Sequence, residues 1–174
     1  QLLLDTMTID SMSYGLSDVT QVRMDARHIE YECDGVHMHA QLGGQFNVMN
    51  SLAAISAARA LGISLAEIAE GLSQAAAVPG RFESIDAGQS FDVVVDYAHT
   101  PDALERVLDS SRSLMSESGK LIVVFGCGGD RDVQKRQPMG EIAGAKADVV
   151  IITSDNPRSE SGAEIAAQIN AGVR

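Results

Sequence analysis

Three polar segments hold the residues whose types and spacing suit chemistry: "DYAHTP" (96 to 101), "GCGGDRD" (126 to 132) and "SDNPRSE" (154 to 160). Each follows a run rich in β-branched residues and precedes a helical pattern, so all three belong at carboxyl ends of strands, the edge where open α/β sheets bind ligands. In the last segment Asp155 can accept from an ammonium and Asn156 can both donate and accept. Pro157 fixes the backbone, and Arg158 can grip a carboxylate through two parallel hydrogen bonds. A turn that merely joins strand to helix needs none of that selection.

Gly126-Cys127-Gly128-Gly129 invites a dinucleotide reading, but G-x-G-x-x-G requires glycine where Arg131 stands, and G-x-x-x-x-G-K-[ST] occurs nowhere. The chain itself therefore has no phosphate loop. Cys127 has no histidine near it in sequence and is expected to pack rather than attack. Cys33, His37 and His39 offer metal-ligand types on one hairpin, yet ordinary surface and edge residues account for them, and no metal site is assigned.

The elements that position these residues follow from periodicity. Residues 19 to 42 alternate apolar and polar positions around Asp34-Gly35, a pair suited to a tight hairpin. After Gly43-Gly44, "FNVMNSLAAISAARALGI" has helical spacing, and Ser64 with Glu67 forms a capping box opening a second helix. Pro79-Gly80 is the expected domain boundary, giving segments 1–79 and 80–174. Beyond it the pattern predicts strands at 91–96, 120–125 and 148–153 and helices at 101–116, at 137–146 and from 161, with start signals at Thr100-Pro101 and at Ser161 with Glu164. Continuous apolar strands alternating with amphipathic helices predict a parallel sheet covered on both faces, an α/β fold.

A formal net charge of -11 argues against a general nucleic-acid binder or a membrane-surface protein, since both use broad positive fields. No nucleic acid and no membrane partner is expected, and a phosphate-bearing ligand would need local arginines. The two cysteines imply no disulfide framework and fit a reducing, cytoplasmic compartment. No apolar run reaches the ~18 residues of a membrane span. The chain opens with "QLLLDTMTID" as if already inside a strand and stops at "AGVR" as a helix finishes, so both ends read as cut, the alternative being a mature small domain that begins this way.

"GQFNVMNSLAA", "VPGRFE", "VVVDYAHTPDALE", "FGCGGDRD" followed by "KRQPMGEIA", and "SDNPRSE" stand in an order and spacing that resemble the Mur ligase family, in particular its tripeptide synthetases, over residues 43 to 165. The resemblance implies the end of a central ATPase domain (1–79) followed by a Rossmann-like, mostly parallel-sheet C-terminal domain (80–174), incomplete at its end. It implies a bacterial cytoplasmic enzyme, a monomer, that uses ATP and magnesium to activate a carboxylate of UDP-MurNAc-L-Ala-D-Glu as an acyl phosphate and joins it to meso-diaminopimelate. Carried over by residue, Asn47 and Asn50 help hold the nucleotide, Arg81 meets the γ-phosphate, Asp96 the ribose, and His99 lines the same pocket. Arg131, Asp155, Asn156 and Arg158 receive the diaminopimelate.

Structural alternatives stand beside these roles: a strand-end cap for Asp96, a purely structural His99, and an Arg131 paired with Asp130 or Asp132. The family's phosphate loop, magnesium ligands and carbamylated lysine would precede Gln1, so no catalytic residue is assigned here and the segment alone is expected to be inactive. Meso-diaminopimelate ends in a carboxylate and an amine and lysine in an amine alone, so Arg158 should favour the first. The competing readings are a lysine-adding ligase, a relative such as cyanophycin or folylpolyglutamate synthetase, and a non-catalytic ligand-binding module.

Overall fold

The computed structural model describes residues 11 to 173, and the strand expected at the start of the chain lies outside them. Two compact units divide between Val94 and Val95.

In the first unit a short 3₁₀ turn leads into β1 (Val19–Met24), β2 (Ile29–Cys33) and β3 (Val36–Ala40), an antiparallel sheet in that order. Asp34 (φ 47°) and Gly35 (φ 76°) make the left-handed two-residue turn that the strand twist favours, pairing Cys33 with Val36. Alternation then sends Ile29, Tyr31, Cys33, Met38 and Ala40 inward, while His37 stays exposed and His39 half-buried. The thiol of Cys33 is thereby separated from both imidazoles by the sheet. Helices α1 (Gln45–Ala60) and α2 (Leu65–Ser73) cover the inner face with Val48, Leu52, Ile55 and Ile68. The polar tip of buried Tyr31 meets Ser51 Oγ at 2.6 Å, and the capping box of Ser64 and Glu67 forms as expected.

The strand expected at 91–96 is much shorter. β4 (Glu83–Ser84) pairs with β5 (Val94–Val95), and β5 does not join the later parallel strands. The intervening polar turn explains the difference: Gly88 N donates to Asp86 Oδ1 (2.9 Å) and Gln89 Nε2 to Ile85 O (2.7 Å). Ile85 N then reaches Val93 O at 2.8 Å, so the chain folds back on itself here.

The second unit contains α3 (Pro101–Ser113), β6 (Ile122–Phe125), α4 (Arg136–Lys146), β7 (Val149–Ile152) and α5 (Gly162–Asn170). β6 and β7 run parallel, with Ile122 opposite Val149 and Phe125 opposite Ile152. Their inward residues Val123, Phe125, Val150 and Ile152 meet a core of Leu104 and Leu108 from α3, Met139 and Ala143 from α4, and Ile165 and Ile169 from α5. The outward residues are open, from 41 % exposed at Val149 to 59 % at Val124. This corrects the expectation of a sheet covered on both faces: among the described residues all three helices direct their apolar stripes into the same core, leaving none for the opposite face. No described helix is long and apolar enough to cross a membrane.

The starts of these helices set the positions of the loops before them. Thr100 Oγ1 accepts from Ala103 N (3.3 Å), with Pro101 in the first turn, and Ser161 Oγ accepts from Glu164 N (3.5 Å). α4 starts without a side-chain cap, and the residue before it, Lys135, sends its Nζ to the carbonyl of His99 (2.7 Å).

Candidate functional site

The loops that leave β6 and β7 are laced together. Gly129 N donates to Asn156 O (2.9 Å), Arg158 Nη1 to Gly129 O (2.5 Å), and Ser159 donates through N (3.2 Å) and Oγ (2.7 Å) to the Asp130 carboxylate. The approach is so close that a Cβ on Gly129 would collide with Pro157 O, which no side chain permits. Asp130 (φ 51°) and Arg158 (φ 50°) both adopt the left-handed conformation, which costs about 1 kcal/mol or more at a residue with a side chain and persists only where the surroundings impose it.

Beneath the loops lies an ion pair. Arg136, the first residue of α4 and 1 % exposed, grips Glu160 with both terminal nitrogens: Nη1 to Oε2 at 2.8 Å and Nη2 to Oε1 at 2.9 Å. Glu160 Oε1 also accepts from Asp130 N at 2.6 Å, and Arg136 donates to Gln168 Oε1 (2.8 Å) and Gly128 O (3.3 Å). The Arg136 guanidinium first, and then the Asp130 amide, hold the Glu160 carboxyl at about 2. Cys127 is buried with Sγ 3.8 Å from Met139 Sδ, and burial pushes its thiol up, so it packs as expected.

Of the residues singled out by sequence, four meet on this loop pair. Asp155, Asn156, Arg158 and Arg131 are all exposed. Arg158 Nη1 and Arg131 Cγ both come within 4 Å of where a Cβ on Gly128 would stand, so the two arginines flank one glycine. Asp130 is occupied by Ser159 and Asp132 by Gln134 N (2.9 Å), and Arg131 forms no ion pair with either among the described residues. The side chains of Asp155 and Asn156 make no hydrogen bond within the described structure, which leaves an acid and an amide facing outward beside two guanidinium groups. Chemically, that set suits a small molecule carrying both ammonium and carboxylate groups.

Asp96 accepts from Ala98 N through Oδ1 (2.8 Å), which gives it a turn-forming role at the end of β5. His99 is exposed, its Nδ1 3.0 Å from Tyr97 O and its ring 4.9 Å from the Tyr97 ring. In the first unit buried Asn47 donates to Gly43 O (2.8 Å) and accepts from Asn50 Nδ2 (3.0 Å), fastening the start of α1. Arg81 is exposed and precedes Phe82, whose ring packs edge-on against Phe46 at 5.2 Å, next to Asn47 in sequence.

Sequence reasoning assigned no role to Arg136, Glu160 or Lys135. The available signal was the charge pattern: "KRQ" opening a helix without a cap and an acid closing the "DNPRSE" segment, both following strands expected to be neighbours. With the dinucleotide fingerprint excluded, the glycines had no assigned purpose; Gly129 is required by the crossing of the two loops.

A parallel pair of strands whose carboxyl-end loops present this set is matched by the model for "Mur ligase, glutamate ligase domain" over residues 80–174, and the chain belongs to the Mur ligase family. Among its relatives, UDP-N-acetylmuramoyl-L-alanyl-D-glutamate--2,6-diaminopimelate ligase 1 of Clostridium acetobutylicum is 42 % identical over 95 % of this chain and 36 % of its own length. The enzyme of the same name from Geobacillus kaustophilus is 46 % identical over 93 % of this chain and 35 % of its own. A solved structure of a UDP-N-acetylmuramoyl-L-alanyl-D-glutamate--2,6-diaminopimelate ligase superposes with a TM-score of 0.60 at 36 % identity, covering 90 % of this chain and 32 % of that one. The chain thus spans about a third of the length of the curated relatives it matches.

Proposed function

We propose that this chain belongs to an ATP-dependent ligase that joins meso-diaminopimelate to UDP-MurNAc-L-Ala-D-Glu during peptidoglycan precursor synthesis, and that it supplies the diaminopimelate site and part of the nucleotide site. In that reaction a carboxylate of the dipeptide takes the γ-phosphoryl group of ATP, releasing ADP. The amine of diaminopimelate then attacks the acyl carbon and phosphate leaves with the bonding pair. The residues of this chain bind and orient. Arg158, already fixed at one nitrogen by Gly129 O, directs its remaining N–H groups to the distal carboxylate, with Arg131 beside it. Asp155 takes an ammonium and Asn156 bridges donor and acceptor.

On the nucleotide side Asn47, Asn50, Arg81, Asp96 and His99 keep the roles the family resemblance gives them. Asn47 acts through Asn50, because its own amide is engaged by Gly43 O and Asn50 Nδ2. Magnesium accompanies ATP, and the family resemblance puts its ligands outside this chain; among the described residues no group of three or more His, Cys, Asp or Glu side chains could hold a metal ion. Residues 1–79 close the ATP-binding domain and 80–174 open the glutamate ligase domain, a division supported by the family match from residue 80. The enzyme works in the bacterial cytoplasm as a monomer.

The observation that carries this reading is the pair of exposed arginines flanking Gly128 beside the outward-facing side chains of Asp155 and Asn156. The test is product formation by the full-length protein with meso-diaminopimelate and with lysine. An unpaired guanidinium in a binding pocket costs on the order of 2–5 kcal/mol, so meso-diaminopimelate should be preferred by well over tenfold. Equal rates overturn the assignment in favour of a lysine-adding or unselective ligase.

A further inference from the structure

The ion pair of Arg136 and Glu160 has no part in the proposed reaction, yet it is the most thoroughly buried charged contact in the described structure. Arg136 is among the largest fully buried side chains, and one carboxylate, at the end of the 154–160 loop, is held by the first residue of α4 and by the backbone of the 126–132 loop. Gln168 of α5 completes the set around the guanidinium. A buried ion pair adds little net stability over an apolar replacement, because desolvation offsets attraction, whereas removing one partner leaves the other stranded. Its contribution here is geometric. Arg136 Nε has no partner, so the guanidinium is oriented by the Glu160 fork and not by full satisfaction of its donors.

What the fork orients is the spacing of the two loops. They share one backbone-to-backbone hydrogen bond, Gly129 N to Asn156 O, and each contains a left-handed residue with a side chain, Asp130 and Arg158. Such a conformation relaxes unless neighbouring contacts over-determine it. Glu160 follows Arg158 by two residues and binds the amide of Asp130, whose own carboxylate holds Ser159. The chain of contacts from Arg136 through Glu160 and Asp130 to Ser159 therefore fixes both unusual residues at once.

We propose that the Arg136–Glu160 pair is a positioning device for the amino-acid site, holding the Arg131-bearing loop and the Asn156- and Arg158-bearing loop at the separation that lets both arginines meet one ligand. The identity of that ligand rests on the proposed function; the locking of the loops does not. A positioned group displaced by about 1 Å can cost on the order of 100-fold in rate or affinity. Neither residue touches the ligand in this arrangement, so they are positioning residues.

The experiment uses the full-length ligase with Glu160→Gln, which keeps the shape and the acceptor for Asp130 N but loses the charge, and Arg136→Lys, which keeps the charge but loses the fork. Both should raise KM for meso-diaminopimelate about tenfold or more while KM for ATP stays within about twofold. Hydrogen exchange read on Glu160→Gln should quicken at the Gly129, Asp130 and Ser159 amides and stay unchanged in α3. A parallel rise in both KM values, an unchanged KM for meso-diaminopimelate, or unaltered exchange at those amides in the folded Gln variant overturns the proposal. A wild-type enzyme that makes no product with meso-diaminopimelate overturns the ligand assignment alone, and the exchange result then decides the positioning.

Discussion

The start of α1 and the loop pair beyond β6 and β7 both carry residues singled out from the same motifs, and they use them in opposite ways. At α1 Asn47 turns inward: it is buried, donates to the carbonyl of Gly43 and accepts from the exposed Asn50. At the loop pair the polar groups that bind the protein are backbone atoms, the buried fork of Arg136 and Glu160, the Asp130 carboxylate with Ser159, and one nitrogen of Arg158, while Arg131, Asp155 and Asn156 face outward. A motif residue can thus be engaged within the fold or left facing outward, and residue identity alone does not separate the two. Burial and the engagement of each donor do.

Substitutions can break this contrast. The largest effect is expected from Gly129→Ala: its Cβ would strike Pro157 O, forcing the loops apart at about 3 kcal/mol of stability by urea unfolding, whereas the Cβ of Gly128→Ala comes closest to a side-chain end, Arg158 Nη1 at 3.0 Å, and should cost far less. Next, Arg158→Met in the full-length enzyme should shrink the preference for meso-diaminopimelate over lysine by about 2 kcal/mol, the scale of a charged hydrogen bond, and cost about 1 kcal/mol in folding because Gly129 O loses its donor. Asn47→Ala should do the reverse, destabilising the first unit by about 1–2 kcal/mol because Gly43 O loses its buried donor, without altering that amino-acid preference.

Acid sharpens the comparison further. Glu160 is held at about 2 against an ordinary 4.5 by Arg136 and the Asp130 amide, a depressed value, so its contribution is present above about 4.5 and is lost as pH falls towards 2. Asp148, lowered by Leu121 N and Arg112, loses stability in the same direction, so the diagnostic quantity is the difference between wild type and Glu160→Gln in unfolding midpoint, which should narrow as pH falls through that window. The smallest changes belong to the helix caps. Ser64→Ala in the first unit and Thr100→Ala in the second should each cost about 1 kcal/mol in thermal or urea unfolding, showing that the two units respond alike where their polar groups do the same task.

The elements were legible because their signals are local. The Asp34-Gly35 turn, the Ser64 capping box and the Thr100-Pro101 helix start all form where the sequence places them. The strand expected at 91–96 fails because its apolar run competes with the polar turn at 86–89, which recruits Val93 to Ile85 instead. The continuous apolar runs of β6 and β7 mark both faces as apolar but cannot state on which face a helix will settle. At the site, residue types able to bind a carboxylate are recognisable one by one, so Arg158 stands out from its type, and Arg131 through the family resemblance, as candidates before the fold is known. The union of Arg136 with Glu160 could not, because the partners stand 24 positions apart and meet only after two strands have aligned.

The uncovered side of the β6–β7 pair has a practical outcome for anyone handling this polypeptide. Ile122, Val124, Val149 and Ile151 form an exposed apolar panel on the parallel pair, the kind of surface that favours self-association. At neutral pH the net charge of -11 keeps molecules apart by mutual repulsion. Near pH 4.6 that repulsion vanishes, and turbidity should peak there. Replacing Val124 with lysine should clear the solution.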